Sequence, residues 1–406
     1  MSEGVLESIR RVLGESGTER DASGLPRAVP DSTEAVASVV GLAHERAWRI
    51  RIEGSGTWMP ADAPADLVLS TRGMNQVISV EPADLVATVE AGATIDTLAR
   101  SLAERGAWLA IDPPGRPERT LGSVVATATS GPLRDRFGPI RDHVLGCTVV
   151  AGDGRVIRAG GTVVKNVAGY DVTKLQVGGF GAFGIITQLN LRLRAAPAAD
   201  VTVAAFGERD PLTRAARDLA QANLELAACE LLSPAVAANA SWALVLRLAG
   251  TAAGVAAETE RVRQTTELAW AEVSAEAAEG FRRNSARAAL GGPVTFRLGV
   301  LPYGLDEVLD LLAERVDLGL VTAGPARGGL RWSGVASPAA LRHLRTTVAQ
   351  REIPLTIERA PWSIRHELGH FGAYREGIGV MTSRLRQTFD PGGRFQVALE
   401  GTGGSP

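Results

Sequence analysis

The sequence predicts an α+β fold: two α+β subdomains that share a ligand, followed by a smaller α/β cap domain with an antiparallel sheet. Three observations carry this expectation. Short β-branched runs alternate with helical segments up to residue 195, and a Gly-Asp-Gly hairpin signal at 152–154 joins two of them. Glycine-rich loops recur at 53–57, 120–131 and 160–184, each next to an expected strand or helix. Beyond residue 200, apolar runs at 201–206, 226–232, 243–248 and 294–300 alternate with helical segments at 211–222, 251–270, 305–314 and 338–351. The expected divisions are a helix and loop over 1–24, a ligand-binding domain over 25–197, a cap over 198–380, and a helix with tail over 381–406.

Each element has a local reason. Residues 2–14 place apolar side chains at helical spacing, and 15–30 read as a polar loop. Asp31 or Ser32 caps a helix that runs to about 46. A strand over 49–53 stops at Gly54-Ser55-Gly56-Thr57. Strands follow at 66–70, 76–81 and 85–90, and Thr94 caps a helix to about 105. Ile111-Asp-Pro-Pro-Gly115 is a rigid turn. The small, Ala-rich stretch 121–129 reads as helix, and 144–151 with 155–159 as a hairpin. Residues 185–194 alternate with period two and form a strand. The helix at 381–389 is stopped by Asp390-Pro391-Gly392-Gly393.

Composition excludes several classes. A chain of 406 residues with a net charge of −2 gives no electrostatic footprint for nucleic acid. No apolar run reaches the roughly 18 residues a transmembrane helix needs, and no signal peptide is evident. The cytoplasm is therefore expected. The two cysteines, Cys147 and Cys229, read as buried thiols rather than a disulfide, and cannot by themselves ligate an iron–sulfur cluster.

Two motifs mislead. Gly179-Phe-Gly181-Ala-Phe-Gly184 fits G-x-G-x-x-G, but a strand follows where a nicotinamide-dinucleotide fold needs a helix. His366-Glu-Leu-Gly-His370 fits H-E-x-x-H. Pro361, Gly369 and Gly372 interrupt the long helix that a zinc peptidase requires, and Ala373 and Glu376 stand where the extended motif has Gly and His. No metal is expected.

The order of the glycine loops carries the chemistry. Successive small residues turn backbone N–H groups toward an anion, and Ser and Thr add donors. This pattern, over about 25–197, resembles the FAD-binding domain shared by vanillyl-alcohol oxidase and p-cresol methylhydroxylase. Gly54-Ser55-Gly56-Thr57 matches the first phosphate loop, and 88–98 matches the "V-x-A-G" strand-to-helix turn. Residues 121–131 match the second pyrophosphate loop. Arg136-Phe-Gly138 with Arg141-Asp142 matches its continuation, and Gly181-Ala-Phe-Gly184-Ile-Ile-Thr187 the segment that meets the adenine end of FAD. Val164-Lys-Asn-Val-Ala-Gly-Tyr-Asp171, the loop ending at Arg134 and residues 384–395 further resemble the FAD-binding E subunit of bacterial glycolate oxidase.

The resemblance implies FAD as cofactor. It implies FAD contacts from Gly54, Ser55, Gly56, Thr57, Pro114, Thr120, Leu121, Gly122, Ser123, Thr127, Ser130, Gly131, Gly138, Lys165, Gly169, Tyr170, Gly184, Ile185 and Ile186. Lys165 has two readings, a phosphate or loop-holding cation and a charge near the flavin pyrimidine edge. Tyr170 reads foremost as a packed ring. The first loop holds Trp58-Met59 and no His, and His143 sits at a strand start, so the flavin is expected to be non-covalent. The family's Asn-Pro-Gly is missing after Phe389-Asp-Pro, and no cofactor contact is assigned to the tail. None of the histidines, at 44, 143, 343, 366 and 370, falls in a segment that marks it as lining a flavin, and no catalytic residue is assigned.

The implied function is hydride transfer from a 2-hydroxy acid such as glycolate or D-lactate to flavin N5. Electrons would pass onward in a complex with a D-type flavin subunit and an iron–sulfur subunit, which could hold the chain at the inner membrane. The alternative is a stand-alone FAD oxidase or dehydrogenase of another alcohol or a sugar.

Overall fold

The computed structural model describes residues 2–162, 171–326, 328–372 and 377–401. Three larger sheets organise them, beside a two-stranded pairing of Ala107–Trp108 with Arg194–Ala195. A four-stranded sheet runs Thr18–Arg20, Pro26–Ala28, Leu67–Ser70, Ile50–Glu53, with its last three strands parallel. A five-stranded antiparallel sheet runs Val77–Glu81, Val86–Glu90, Ile185–Arg192, Val144–Val150, Val156–Gly160. The third sheet is antiparallel and eight-stranded, drawn from strands between Ala199–Gly207 and Leu355–Arg359.

The segment 15–30, read as loop, contains the two short strands of the first sheet, Thr18–Arg20 and Pro26–Ala28. Strands of three residues are too short to show alternation. The capped helices form where expected. Thr33–Glu45 starts at Ser32, whose side chain accepts from Ala35 N, and Ile95–Ala103 starts at Thr94, which accepts from Thr97 N. The hairpin of Val144–Val150 with Val156–Gly160 also forms.

The strand Ile185–Arg192 is the keystone of the five-stranded sheet. It inserts between Val86–Glu90 and Val144–Val150, and its apolar residues Ile186, Leu189 and Leu191 fill one core with Val89, Val149 and Leu121. The period-two pattern of 185–194 exists because alternate side chains face that core.

In the eight-stranded sheet the alternation is chemical as well as geometric. Leu231, Leu246, Phe296, Val321, Trp332 and Ile357 face the helices Arg209–Gln221, Leu305–Arg315 and Pro338–Ala349 in one apolar core, where Phe296 stacks on Trp332 with ring centroids 4.9 Å apart. The residues between them, Glu230, Arg247, Arg297, Arg331 and Glu358, lie on the opposite face, toward the first domain. Strands Leu320–Ala323, Leu330–Gly334 and Leu355–Arg359 and the helix Ala275–Ala288 extend the cap beyond the elements legible in the sequence.

The chain then returns to its beginning. Phe395 bridges in parallel to Ile50, with Ile50 N donating to Arg394 O (2.7 Å) and Gln396 N to Ile50 O (3.0 Å). Phe395 is buried in the core of the four-stranded sheet.

Candidate cofactor site

A cleft of about 1050 Å³, partly open to solvent, lies where the four-stranded sheet, the helix Leu121–Thr127, the 180–186 turn and the returning tail meet. Its floor begins at the end of the strand Ile50–Glu53. Ser70 Oγ donates to Gly54 O (2.6 Å) and fixes the turn. A Cβ at Gly54 would overlap Thr120 Oγ1, so only glycine lets the loop and the helix start lie in contact. Ser55 Oγ and Thr57 Oγ1 are 3.0 Å apart in the loop that follows.

Thr120 caps Leu121–Thr127, accepting from Ser123 N (3.3 Å). Gly122 packs on the 91–93 turn, where a Cβ would come 2.9 Å from both Ala91 Cβ and Ala91 O. The helix therefore sits flush on the core and presents Ser123, Ala126 and Thr127 to the cleft. Its carbonyls then position the third loop: Val125 O accepts from Gly178 N (3.0 Å) and Ala126 O from Phe180 N (2.7 Å).

The expected cofactor residues divide into three groups. Gly54, Ser55, Gly56, Thr57, Gly122, Ser123, Thr127, Gly184, Ile185 and Ile186 line this one cleft. Thr120 lies directly beneath Gly54, and Leu121 is fully buried in the core on the other side of its helix. Pro114, Ser130, Gly131 and Gly138 lie away from the cleft, and Ser130 and Gly131 line a second cavity between the domains. Pro114 O accepts from Arg119 Nη1 (2.6 Å), and Ser130 O accepts from Arg331 Nη2 (3.0 Å). Gly131 is pressed against the Asp112 carbonyl, and Gly138 ends the helix Arg134–Phe137 with φ +87°. Lys165, Gly169 and Tyr170 lie outside the described residues.

Several lining residues were not legible in the sequence. Trp58, Phe180, Arg365, His370, Gln396 and Val397 all line the cleft. The tail thus contributes to the site although its motif departs from the family pattern. His370 corrects the expectation that no histidine would line it. The H-E-x-x-H helix spans only Trp362–Leu368 and stops at Gly369, so His366 packs against Trp362 while His370 leaves the helix and enters the cleft wall. Among the described residues, no group of three His, Cys, Asp or Glu could hold a metal ion. His143, the nearest candidate for a flavin tether, is buried and does not line the cleft.

The charges around the cleft are already paired. Arg51 pairs with Asp21, Glu53 with Arg27 (2.9 Å), and Arg365 with Asp62 (2.8 Å). Burial raises the Glu53 carboxyl above its ordinary range, with Arg27 pulling against it. Beside the cleft, Arg119 is fully buried and held by neutral acceptors, Pro114 O, Ser123 Oγ (3.2 Å) and Thr127 Oγ1 (2.7 Å). Its guanidinium lies 3.8 Å over the Trp58 ring. Burial brings Arg119 down to about 9, so it remains a cation at neutral pH.

These residues fit FAD. The loop 54–57 and the hydroxyls of Ser55, Thr57, Ser123 and Thr127 form a donor-rich wall suited to a diphosphate. Apolar walls at Ile52, Ala126, Ile185 and Val397 suit ring systems. The buried Trp58 Nε1, which has no hydrogen-bond partner among the described residues, leaves a donor at the cleft that a ligand acceptor would satisfy.

Comparison with known proteins agrees. Residues 27–160 match the family model described as an FAD binding domain. The chain is 35% identical over 136 residues to glycolate oxidase subunit GlcE of Escherichia coli (strain K12), covering 33% of this chain and 39% of that protein. It is 32% identical over 215 residues to glycolate oxidase subunit GlcD of Bacillus subtilis (strain 168), covering 51% and 46%. It is 30% identical over 253 residues to a probable mitochondrial D-lactate dehydrogenase of Danio rerio, covering 57% and 50%. The matches thus span half or less of these relatives' lengths. The fold is shared with a 4-ethylphenol oxidase from Gulosibacter chungangensis, with a TM-score of 0.75 at 15% identity over 98% of this chain and 97% of that one. An alkyldihydroxyacetonephosphate synthase also shares it, with a TM-score of 0.75 at 14% identity over 98% and 85%. Residues 27–160 thus carry an FAD binding domain, and the cofactor is FAD.

Proposed function

We propose that this chain is an FAD-dependent oxidoreductase acting on a 2-hydroxy acid of the glycolate or D-lactate class. In this reading it is the FAD-binding subunit of a glycolate oxidase-type complex, with a D-type flavin subunit and an iron–sulfur subunit as partners. The single observation that carries the reading is the convergence of glycine loops 53–57, 120–127 and 178–184 on one cleft, in a chain similar to glycolate oxidase subunits.

Bound FAD supplies a two-electron acceptor for the C2 hydride of the acid. The protein's own part is placement. Loop 54–57 with Ser123 and Thr127 holds the diphosphate through N–H and hydroxyl donors. Trp58, fixed by the Arg119 guanidinium, closes the wall next to the cap. A second cavity of about 410 Å³ lies between the domains, lined by Arg134, Arg297 and Arg331. Arg297 Nε makes no hydrogen bond among the described residues and only a 3.3 Å ion pair with Glu358, and its guanidinium gives the cap a cation for a substrate carboxylate. The flavin is held without a covalent tether.

The test is the absorption spectrum of the purified chain, followed by anaerobic addition of glycolate, D-lactate and L-lactate. Bleaching of the flavin band by a 2-hydroxy acid, alone or only after the partner subunits are added, supports the proposal. Bleaching by a simple alcohol or sugar with no response to hydroxy acids overturns it in favour of a stand-alone oxidase. Acid denaturation that leaves yellow colour on the polypeptide overturns the non-covalent attachment.

A further inference from the structure

His370 is the residue in the cleft wall whose hydrogen-bonding role is fixed before any ligand arrives. It is 1% exposed, and its ring stacks on Phe180 with centroids 3.7 Å apart and planes 18° from parallel. Phe180 itself has φ +52°, a left-handed conformation that a bulky side chain seldom adopts. Such strain persists where the surroundings over-determine it, and it concentrates at ligand clamps. Here the Phe180 amide is held by Ala126 O, so the helix of the second loop aims this ring at His370.

The histidine is locked at its other edge. Nδ1 lies 2.6 Å from Ile357 O. A carbonyl oxygen only accepts, so Nδ1 carries the proton. In a neutral imidazole Nε2 is then a lone-pair acceptor. Burial is the main reason the ring stays neutral, holding it down to about 3, and the nearby Arg365 and Arg345 act in the same direction. The backbone fixes the ring as well: His370 O accepts from Ile357 N (2.8 Å) and His370 N donates to Ala398 O (3.0 Å).

We propose that His370 Nε2 is a dedicated acceptor for a heterocyclic N–H of the bound dinucleotide, with Phe180 as the clamp that holds the imidazole in plane. FAD offers two sources of this chemistry, the exocyclic amine of adenine and N3–H of the isoalloxazine. The proposal rests on the reading that this cleft binds FAD. It assigns a specificity role to a residue that the H-E-x-x-H pattern had suggested for metal.

The test measures dissociation constants of the flavin-stripped chain by quenching of flavin fluorescence. Three ligands are compared: FAD, its hypoxanthine analogue with a carbonyl in place of the amine, and N3-methyl FAD. The wild-type chain is expected to bind one of the two analogues about ten-fold more weakly than FAD, because an acceptor left without its donor in a buried site costs that much. A weak hypoxanthine analogue assigns the amine, and a weak N3-methyl analogue the isoalloxazine. In His370→Phe, which keeps a ring on Phe180 but has no acceptor, that discrimination is expected to vanish. Equal binding of all three ligands by the wild-type chain overturns the proposal, as does discrimination that survives in the variant. If the variant fails to fold, the analogue series on the wild-type chain still decides. Failure of the wild-type chain to bind FAD at all would instead remove the reading beneath the proposal, and is distinguishable at the first titration.

Discussion

The cofactor cleft and the inner face of the cap sheet lie within one molecule, yet they use opposite chemistry. The cleft is made of backbone, hydroxyls and missing side chains, and its charges are paired off behind it. The cap face is made of ions out of water. Glu358 is 1% exposed and takes Arg331 at 2.7 Å and Arg297 at 3.3 Å. Glu230 accepts from Ser285 (2.6 Å), and Arg247 pairs with Asp200 (2.9 Å). A wall of neutral donors can hold a charged ligand because the donors cost little before it binds. A buried ionic layer is stable only if every member is present. The two regions should therefore fail differently.

The largest effect is expected at the cap. Glu358→Gln leaves two guanidinium groups without their shared anion and should cost about 3–5 kcal/mol of stability in chemical denaturation. A loss below about 1 kcal/mol would mean that the layer is not mutually dependent. Next comes the cleft. Gly122→Val drives a side chain into Ala91 and should cost about 1–3 kcal/mol. It should also lower the flavin-to-protein ratio after gel filtration, which Glu358→Gln should change less.

The third prediction separates the regions by pH. Burial raises Glu230 to about 7, with Asp135 adding to the rise, and raises Asp112 well above its ordinary range, with the Glu230 carboxylate adding to it. Both folded values exceed the unfolded ones, so the native state holds extra protons. The stabilisation is full below the ordinary carboxylate range and is lost as pH rises through about 7. The slope should reach about 1.4 kcal/mol per pH unit for each group. Glu230→Gln should flatten it, and the uncharged cleft substitutions Ser123→Ala and Thr127→Ala should not.

The smallest effect is the most discriminating. Thr94 and Thr120 both cap helices and face each other across a single β-bridge. Either change to Ala should cost about 1 kcal/mol. Only Thr120→Ala, beneath Gly54, should also weaken FAD binding.

The same contrast explains what could be read from the sequence. A loop that touches a ligand through its backbone leaves a local mark, because glycine and hydroxyl residues must cluster within a few positions. Gly54, Ser55, Gly56 and Thr57 were therefore legible, as were Gly122 and Gly184. The ionic layer leaves no such mark. Arg331 and Glu358 sit 27 positions apart, and each alone reads as a charge interrupting a short apolar run. This is why the strands Leu330–Gly334 and Leu355–Arg359 were missed. His370 was illegible for a related reason: its role depends on Ile357 O and Phe180, brought to it only by the fold. Pro114, Ser130, Gly131 and Gly138 show the other side of this contrast, because they lie outside the cleft. They stand in a motif whose local pattern serves packing as well as binding.

The tail that pairs with Ile50 has a consequence for how the protein comes to life. Arg51 and Val397 line the same cleft, although almost the whole chain separates them. A ribosome emitting the polypeptide from its first residue will therefore present every glycine loop long before the pocket can close. Closure must wait for the last strand-like segment to emerge and dock, a contact of very high sequence separation and slow formation. Yellow colour on this protein would thus report that the segment around Phe395 has docked. Prematurely terminated chains would stay apo, even with all three loops intact.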